Sequence, residues 1–462
     1  MLKCRQFQIT WMPPNHIYRM LSALLDISSR MFLDRTRRFQ LALHAARLDA
    51  EVAHLDEQIQ VVQNLQVQER RRRKRRRWWV KQWVQRRDQH GHYHKLMQEL
   101  EFEDRGAFQN FTRMTPEMFH YLLERLEPYI QKQDTNWRPA LPAGMKVAAA
   151  LHYYAHGASY KALRYGFRIP HNTLSIILRD VSEAIIEEFA DEVINTPKTP
   201  EEWKKVAEEF EDKWNVPHAV GAIDGKHVAI RKPGKSGSLY HNYKGFFSII
   251  LMAVVDADYK FLWVEAGGVG SSSDAQIFGD CELRDLIDDN TLGLPDAEPL
   301  PGSDRELPYF LLGDDAFPMR TWLMKPYSRR TENREQKIYN YRISRGRRVV
   351  ENAFGILSQR FQCLLTTMRQ RPETVTSIVL ACCCLHNLSR LWYPKLQKGL
   401  VDEEDANHEV HAGAWRENAQ QLQDGPAVRG NTSLAVAKEQ RAYLTEYFSS
   451  PEGAVAWQDG MI

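Results

Sequence analysis

The chain is poor in cysteine and has no long apolar run. Its 462 residues include six cysteines, none in a Cys-x-x-Cys pair. Three stand together at Cys382, Cys383 and Cys384 on an apolar stretch. Such residues behave as small buried hydrophobes, which speaks against a disulfide framework or a zinc site and for a reducing compartment. The longest near-apolar run is 246–255, ten residues with one serine. A membrane-spanning helix needs about 20, so the sequence predicts no membrane contact. No basic n-region followed by an apolar core opens the sequence, so no secretory signal is expected.

Net charge is also low, +3, but its distribution is uneven. Residues 70–77 are eight consecutive cations. Such a block repels itself unless a polyanion or receptor neutralises it, so it reads as a nuclear import signal, a phosphate-binding arm or a solvated face. Trp78, Trp79 and Trp83 follow, more suited to packing than to base stacking. Before this block, Leu41, Leu48, Leu55 and Val62 are seven apart, with Ala45, Val52 and Ile59 interleaved. That spacing fits a coiled coil, and so a homodimer, or an amphipathic helix packed on its own chain.

Four segments are expected. Residues 1–100 form an N-terminal helical segment with the basic run, and 101–215 a helical region with a helix-turn-helix. Residues 216–395 form a mixed-sheet α/β domain, and 396–462 an acidic, mostly disordered tail. In the second, Thr115-Pro116-Glu117 starts a helix. Ser159 caps a short helix, 169–172 turns the chain, and Thr173 caps a longer one over 173–186. Two helices with a tight turn fit a DNA-reading motif or an ordinary helical hairpin. In the first reading His171, Asn172, Thr173, Ser175 and Arg179 face DNA.

The third segment reads as strands at 218–230, 247–256, 261–266 and 309–314, with an insertion at 288–308. Helices at 345–361 and 372–392 follow. This order matches an RNase H-like plan: an α/β domain with acids at the ends of the first and fourth strands and on a later helix. The acids are Asp224, Asp314 and Glu351, 90 and 37 positions apart. Carboxylates so placed can converge on two Mg²⁺ or Mn²⁺ ions, the arrangement that in-line phosphodiester cleavage uses. Each has a plainer reading: Asp224-Gly225 as a turn, Glu351 as an ion-pair partner of Arg347, and Asp274 as a helix cap. Asp314 and Asp315 compete for the second position, because alternation lets only one face the metal.

Between the second and third acids, residues 320–348 hold ten Lys or Arg against two acids, with Tyr327, Tyr339 and Tyr341 interleaved. This reads as a phosphate-holding segment or a solvated basic face. Arg329, Arg330, Arg347 and Arg348, with Lys244 from an earlier loop, are its DNA-binding candidates. Lys226 and His227 are lesser candidates for holding a phosphate near Asp224.

Six stretches together resemble the PIF/Harbinger family of DDE transposases, especially the Harbinger transposase-derived nucleases. They are 221–227, 240–248, 272–278, 312–317, 348–357 and 385–387, and the likeness covers about residues 100–390. The resemblance implies a metal-dependent nuclease with a triad at Asp224, Asp314 and Glu351, and a further acidic position at Asp274. Where the family commonly has Gly-Asp-Ser-Gly-Tyr, this chain has Gly313-Asp314-Asp315-Ala316-Phe317; Asp314 is favoured as the ligand. It also implies a Myb-like partner protein and action in the nucleus, with the cytoplasm also open. The competing reading is a domesticated, non-catalytic protein that binds DNA or chromatin partners.

Overall fold

The computed structural model describes residues 80–462 except 137–138, 329–332, 394–401, 406–407, 417–420 and 425–433. The heptad stretch, the basic run 70–77, Trp78 and Trp79, Arg329 and Arg330 lie outside the described residues. Residues 81–462 form one compact unit.

Its helical half follows from cap and periodicity signals. Helix α1 (Pro116–Ile130) is capped by Thr115, whose hydroxyl accepts from the Met118 N–H. Met118, Phe119, Leu122, Leu126 and Ile130 fall on one helical face, at three- and four-residue spacings, and are buried. Helix α2 (Ala143–His156) is buried almost all round, as its run of alanines allows. Helix α3 (Tyr160–Phe167) is capped by Ser159 as the sequence predicts. Helix α4 (His171–Val193) differs from expectation at its start. It begins after Pro170, not at Thr173, and no side chain caps it. The proline ring presets a backbone angle that suits entry into a helix. Helix α5 (Pro200–Trp214) is capped by Thr199.

Strands β1 (Ala219–Ala229), β2 (Ser248–Val255) and β3 (Phe261–Val269) form an antiparallel meander. Short strands β4 (Phe310–Leu312) and β5 (Leu323–Met324) add to the other side of β1, parallel to it. The order is β3-β2-β1-β4-β5, with β6 (Gln423–Asp424) antiparallel to β1 beyond the end of β4. β1 and β2 are buried on both faces, which is why they read as nearly continuous apolar runs. On one face Ala222 and Val228 join a core with helices α7 (Arg334–Arg360) and α8 (Pro372–Trp392) and the helical half. On the other, Val220, Ile223 and Met252 pack with Trp203 of α5 and with Ile277 and Phe278 of α6 (Asp274–Gly279). The sheet is thus mixed and covered by helices on both faces.

Three sequence readings change. α7 begins eleven residues earlier than expected, capped by Asn333, which accepts from the Glu335 and Gln336 N–H groups. Its first three turns are rich in Arg, Lys and Tyr, and so resemble a basic linker. Helix α8 is long and apolar enough to span a bilayer by length and composition, yet 67% of that window is buried inside the protein. It packs on α4 and β3. The tail is the third correction. Helix α9 (Ala435–Ser449) packs on α7, with Leu444 and Phe448 fully buried. The segment's polar composition masks the few apolar residues that dock. Arg342 adds to that seam, donating to the Gly453 carbonyl at 3.1 Å and to Gln458 Oε1 at 3.0 Å.

Candidate active site

The central pair of acids follows from strand register. β1 and β4 run parallel with Ala222 opposite Leu312. Asp224 and Asp314 each lie two residues further on, Asp224 still within β1 and Asp314 just past the end of β4. Adjacent strands are about 4.8 Å apart. Asp224 is only 3% exposed. Its Oδ1 accepts from the Gly225 N–H at 3.0 Å, and its Oδ2 is 2.7 Å from Lys226 Nζ. Asp314 is half-buried, and its Oδ1 accepts from the Ala316 N–H at 2.8 Å. Burial and then the Asp224 charge push the Asp314 carboxyl up to about 6, against the pull of Ala316 N–H, Arg347 and Lys226. Asp315 is exposed.

Two cations from the same chain stand among these acids. Burial opposes the charge on Lys226, but Asp224 and Asp424 outweigh it and hold its pKa above the ordinary lysine value. Arg347 behaves alike: burial opposes its charge, and Glu351, Asp224 and Asp314 raise its pKa. Glu351 sits on α7, which packs against β1 and β4. It is ion-paired to Arg347 one turn away and lies 3.8 Å from Arg416. The plainer reading of Glu351 therefore describes its present partners. Among the described residues, no three His, Cys, Asp or Glu side chains gather around a common point where a metal ion would sit. Asp224 and Asp314 do suit a hard divalent cation: they are adjacent carboxylates in a dry place, and the strain of their repulsion shows in Asp314.

The C-terminal segment closes this region, which no sequence signal foretold. β6 pairs with β1 at Lys226 and His227, and Asp424 is ion-paired to Lys226. Trp415 packs so closely on Gly355 of α7 that a Cβ there would meet the indole at 2.3 Å. Its Nε1–H donates to Asn352 Oδ1 at 2.7 Å. Arg416 donates to both oxygens of the buried Asp402, from 2.6 to 3.0 Å. Trp415, Arg416 and Asp424, with Lys226, Glu351 and Phe354, line a cavity of about 180 Å³.

The remaining candidates divide. His171, Asn172 and Ser175 are exposed on the first turns of α4, and Thr173 is half-buried. Arg179 is exposed but lies 3.0 Å from Asp180 and 3.8 Å from Glu183. Lys244 donates to Gln423 Oε1 at 3.0 Å. Arg348 is half-buried. Asp274 opens α6, but the cap is Ser273, in a capping box with Gln276; the Asp274 side chain is outside the described set. Much of the basic stretch is structural. Arg345 is buried on Glu404 and Asn215, and Arg342 holds the α7–α9 seam. Tyr339 is fully buried, and its hydroxyl donates to the Lys325 carbonyl, so it is not free to stack on a base.

Two of the short motifs are structural ties. Asn242 is buried and accepts from the Lys244 and Phe246 N–H groups, both at 3.1 Å, closing its loop. It donates to Ser248 Oγ, which also bonds His227 Nδ1 at 2.8 Å. Burial, helped by Lys244, pushes His227 down to about 4, so it is neutral and no phosphate-holding cation. Asn387 accepts from the Phe261 N–H at 2.9 Å and donates to the carbonyls of Val193 and Phe261. His386 bonds the Tyr259 carbonyl at 2.8 Å, and burial pushes it down to about 3. The 385–387 motif thus fastens α8 to α4 and β3.

Residues 223–387 match a family described as DDE superfamily endonuclease. A Bos taurus protein named "Putative nuclease HARBI1" is 29% identical over 277 residues, 59% of this chain and 75% of that one. The Homo sapiens protein of the same name is 29% identical over 276 residues, 59% and 74% of the two chains. An Arabidopsis thaliana protein named "Protein ALP1-like" is 26% identical over 294 residues, 62% and 71% of the two chains. No solved structure gives a significant match. The matched segment includes the β1 acid, the β4 acid and the α7 glutamate within its bounds. The chain thus carries a segment that matches the DDE superfamily endonucleases, and beyond that segment it is similar to the proteins named as putative nuclease HARBI1.

Proposed function

We propose that this protein is a divalent-metal-dependent DNA endonuclease, transposase-like, on an RNase H-like domain, with Asp224, Asp314 and Glu351 as its acidic residues. The observation that carries the reading is the placement of Asp224 and Asp314 two residues beyond the parallel pair Ala222–Leu312, close enough that the Asp224 charge helps raise the Asp314 pKa, an effect a cation would relieve. A pair of Mg²⁺ or Mn²⁺ ions would be held by Asp224 and Asp314, joined by Glu351 once it leaves Arg347 and Arg416. Such ions lower the pKa of a bound water and stabilise the leaving oxygen. Hydrolysis forms a bond from water oxygen to phosphorus and breaks the P–O3′ bond, with a proton passing to the 3′ oxygen. In this chain, Lys226 is ion-paired to Asp224 at 2.7 Å. Arg347 neighbours both acids and Glu351, a position from which a guanidinium can hold a phosphate oxygen by charge-assisted bonds. Burial of the acid pair excludes bulk water and strengthens each of these interactions.

The helix-turn-helix role of α3 and α4, nuclear action through residues 70–77, a homodimer through the heptad stretch and a Myb-like partner belong to the same reading. A second reading, a non-catalytic DNA- or chromatin-binding protein, draws on one observation: Arg347 and Arg416 hold Glu351, while Asp424 holds Lys226. The experiment is supercoiled-plasmid nicking with Mg²⁺ or Mn²⁺. Wild type nicks and Asp224→Ala does not, while both bind DNA. Equal inactivity of the two, with binding retained, sinks the catalytic reading in favour of the second.

A further inference from the structure

A groove of about 1020 Å³ lies where the helical half meets the C-terminal end of β1. Its lining includes Ser159, Lys161, His171, Arg231, Arg369 and Gln370, and no carboxylate. Lys161, Arg231 and Arg369 are exposed. Among the described residues no acid pairs with them, whereas Arg342, Arg345, Arg347 and Arg416 are each committed to partners within the fold. Three such cations in one concave surface are costly unless an anion shares it, since like charges repel and their field is focused by the low-dielectric walls. Helices α3 and α4 also begin at this groove, at Tyr160 and His171, and their N-terminal ends add partial positive charge.

The groove is rigidly connected to the acid pair. Beyond β1, Ile230 bridges Met368, the Arg231 N–H donates to the Met368 carbonyl, and the Met368 N–H donates to the Ala229 carbonyl. Arg231 and Arg369 therefore flank one short ladder that prolongs the strand bearing Asp224. Arg231 is seven residues past Asp224. At about 3.3 Å per residue that is roughly 23 Å. DNA rises 3.4 Å per nucleotide along one strand, so the separation corresponds to about seven nucleotides.

From this placement we infer that the groove binds the phosphodiester backbone of DNA about seven nucleotides from the acid pair, with Lys161, Arg231 and Arg369 as phosphate contacts. The inference rests on the proposed DNA-cleaving function and adds where the flanking strand is held. None of the three residues stood out in the sequence, because they lie far apart in the chain and outside the basic blocks. Contacts to phosphate position the duplex and carry no base preference. Their removal weakens binding to all sequences alike and lowers its salt dependence.

The test measures binding of a 30-base-pair duplex to the full chain by fluorescence anisotropy across salt concentrations. It compares wild type, the triple variant Lys161→Ala/Arg231→Ala/Arg369→Ala, and a control, Lys205→Ala/Lys438→Ala, which removes exposed cations elsewhere. Each phosphate contact contributes about 0.9 to the slope of log K against log salt. The triple variant is expected to lose about 2.7 from that slope and to bind about tenfold or more weakly at physiological salt; the control keeps the wild-type slope. An unchanged slope in the triple variant, an equal loss in the control, or no duplex binding by wild type overturns the inference. Thermal melting of the triple variant at the wild-type midpoint shows that its fold is intact. Nicking assays on the same proteins separate the two claims. Groove-dependent binding without nicking leaves the groove and removes the endonuclease; nicking with a groove-independent slope does the reverse.

Discussion

Replacement of Asp314 by Asn should stabilise the metal-free protein while abolishing nicking. The side chain keeps its shape, and the amide oxygen still accepts from the Ala316 N–H, now at 2.8 Å. What disappears is a negative charge that burial and Asp224 disfavour. The Asp314 carboxyl sits at about 6, against an ordinary 3.8. A shift of about two units corresponds to about 3 kcal/mol as a ceiling; for a half-buried group about 1–2 kcal/mol is the working figure. The sign follows from proton uptake. The folded-state pKa is raised, so the folded protein binds more protons than the unfolded chain between about pH 4 and 6, and stability falls as pH rises through that window. Asp314→Asn escapes this loss. Its advantage over wild type is therefore full at pH 8 and fades below pH 4. Melting with chelator at both pH values reads it, at about 1 °C per kcal/mol for a protein of this size. Adding Mg²⁺ or Mn²⁺ then raises the wild-type midpoint and leaves that of Asp314→Asn nearly unchanged. A variant less stable than wild type at pH 8, or an advantage that persists at pH 4, refutes the reasoning.

Two further substitutions test the architecture. Leu444→Ala on α9 should cost about 2–5 kcal/mol, because it opens a cavity in a fully buried seam; a urea midpoint equal to wild type would mean that the C-terminal helix does not dock. Asn387→Ala should cost about 3 kcal/mol or more, since it strands the Phe261 N–H and the carbonyls of Val193 and Phe261 away from water. Chemical denaturation checks this, and a loss below about 1 kcal/mol would show that water replaces the side chain.

The sequence alone determined the elements whose signals are local. Thr115 and Ser159 cap helices because a short hydroxyl one residue before the helix meets its free N–H groups. Apolar runs marked β1 and β2 because strands covered on both faces need apolar side chains throughout. Ala222-Ile223-Asp224 and Leu312-Gly313-Asp314 stood out for the same reason: a charge at the end of a buried strand is costly, so its presence is informative. Only the tertiary structure decided how those charges are answered. That Arg347 neighbours Asp224 and Asp314, that Asp424 and Arg416 reach the site from a polar tail, and that Arg342 and Arg345 are structural are all relations between distant parts of the chain. Such contacts depend on register and packing, which composition does not encode. The same holds for Lys161, Arg231 and Arg369. Each is an unremarkable cation in its own stretch, and only the closure of the helical half against the end of β1 sets the three around one groove.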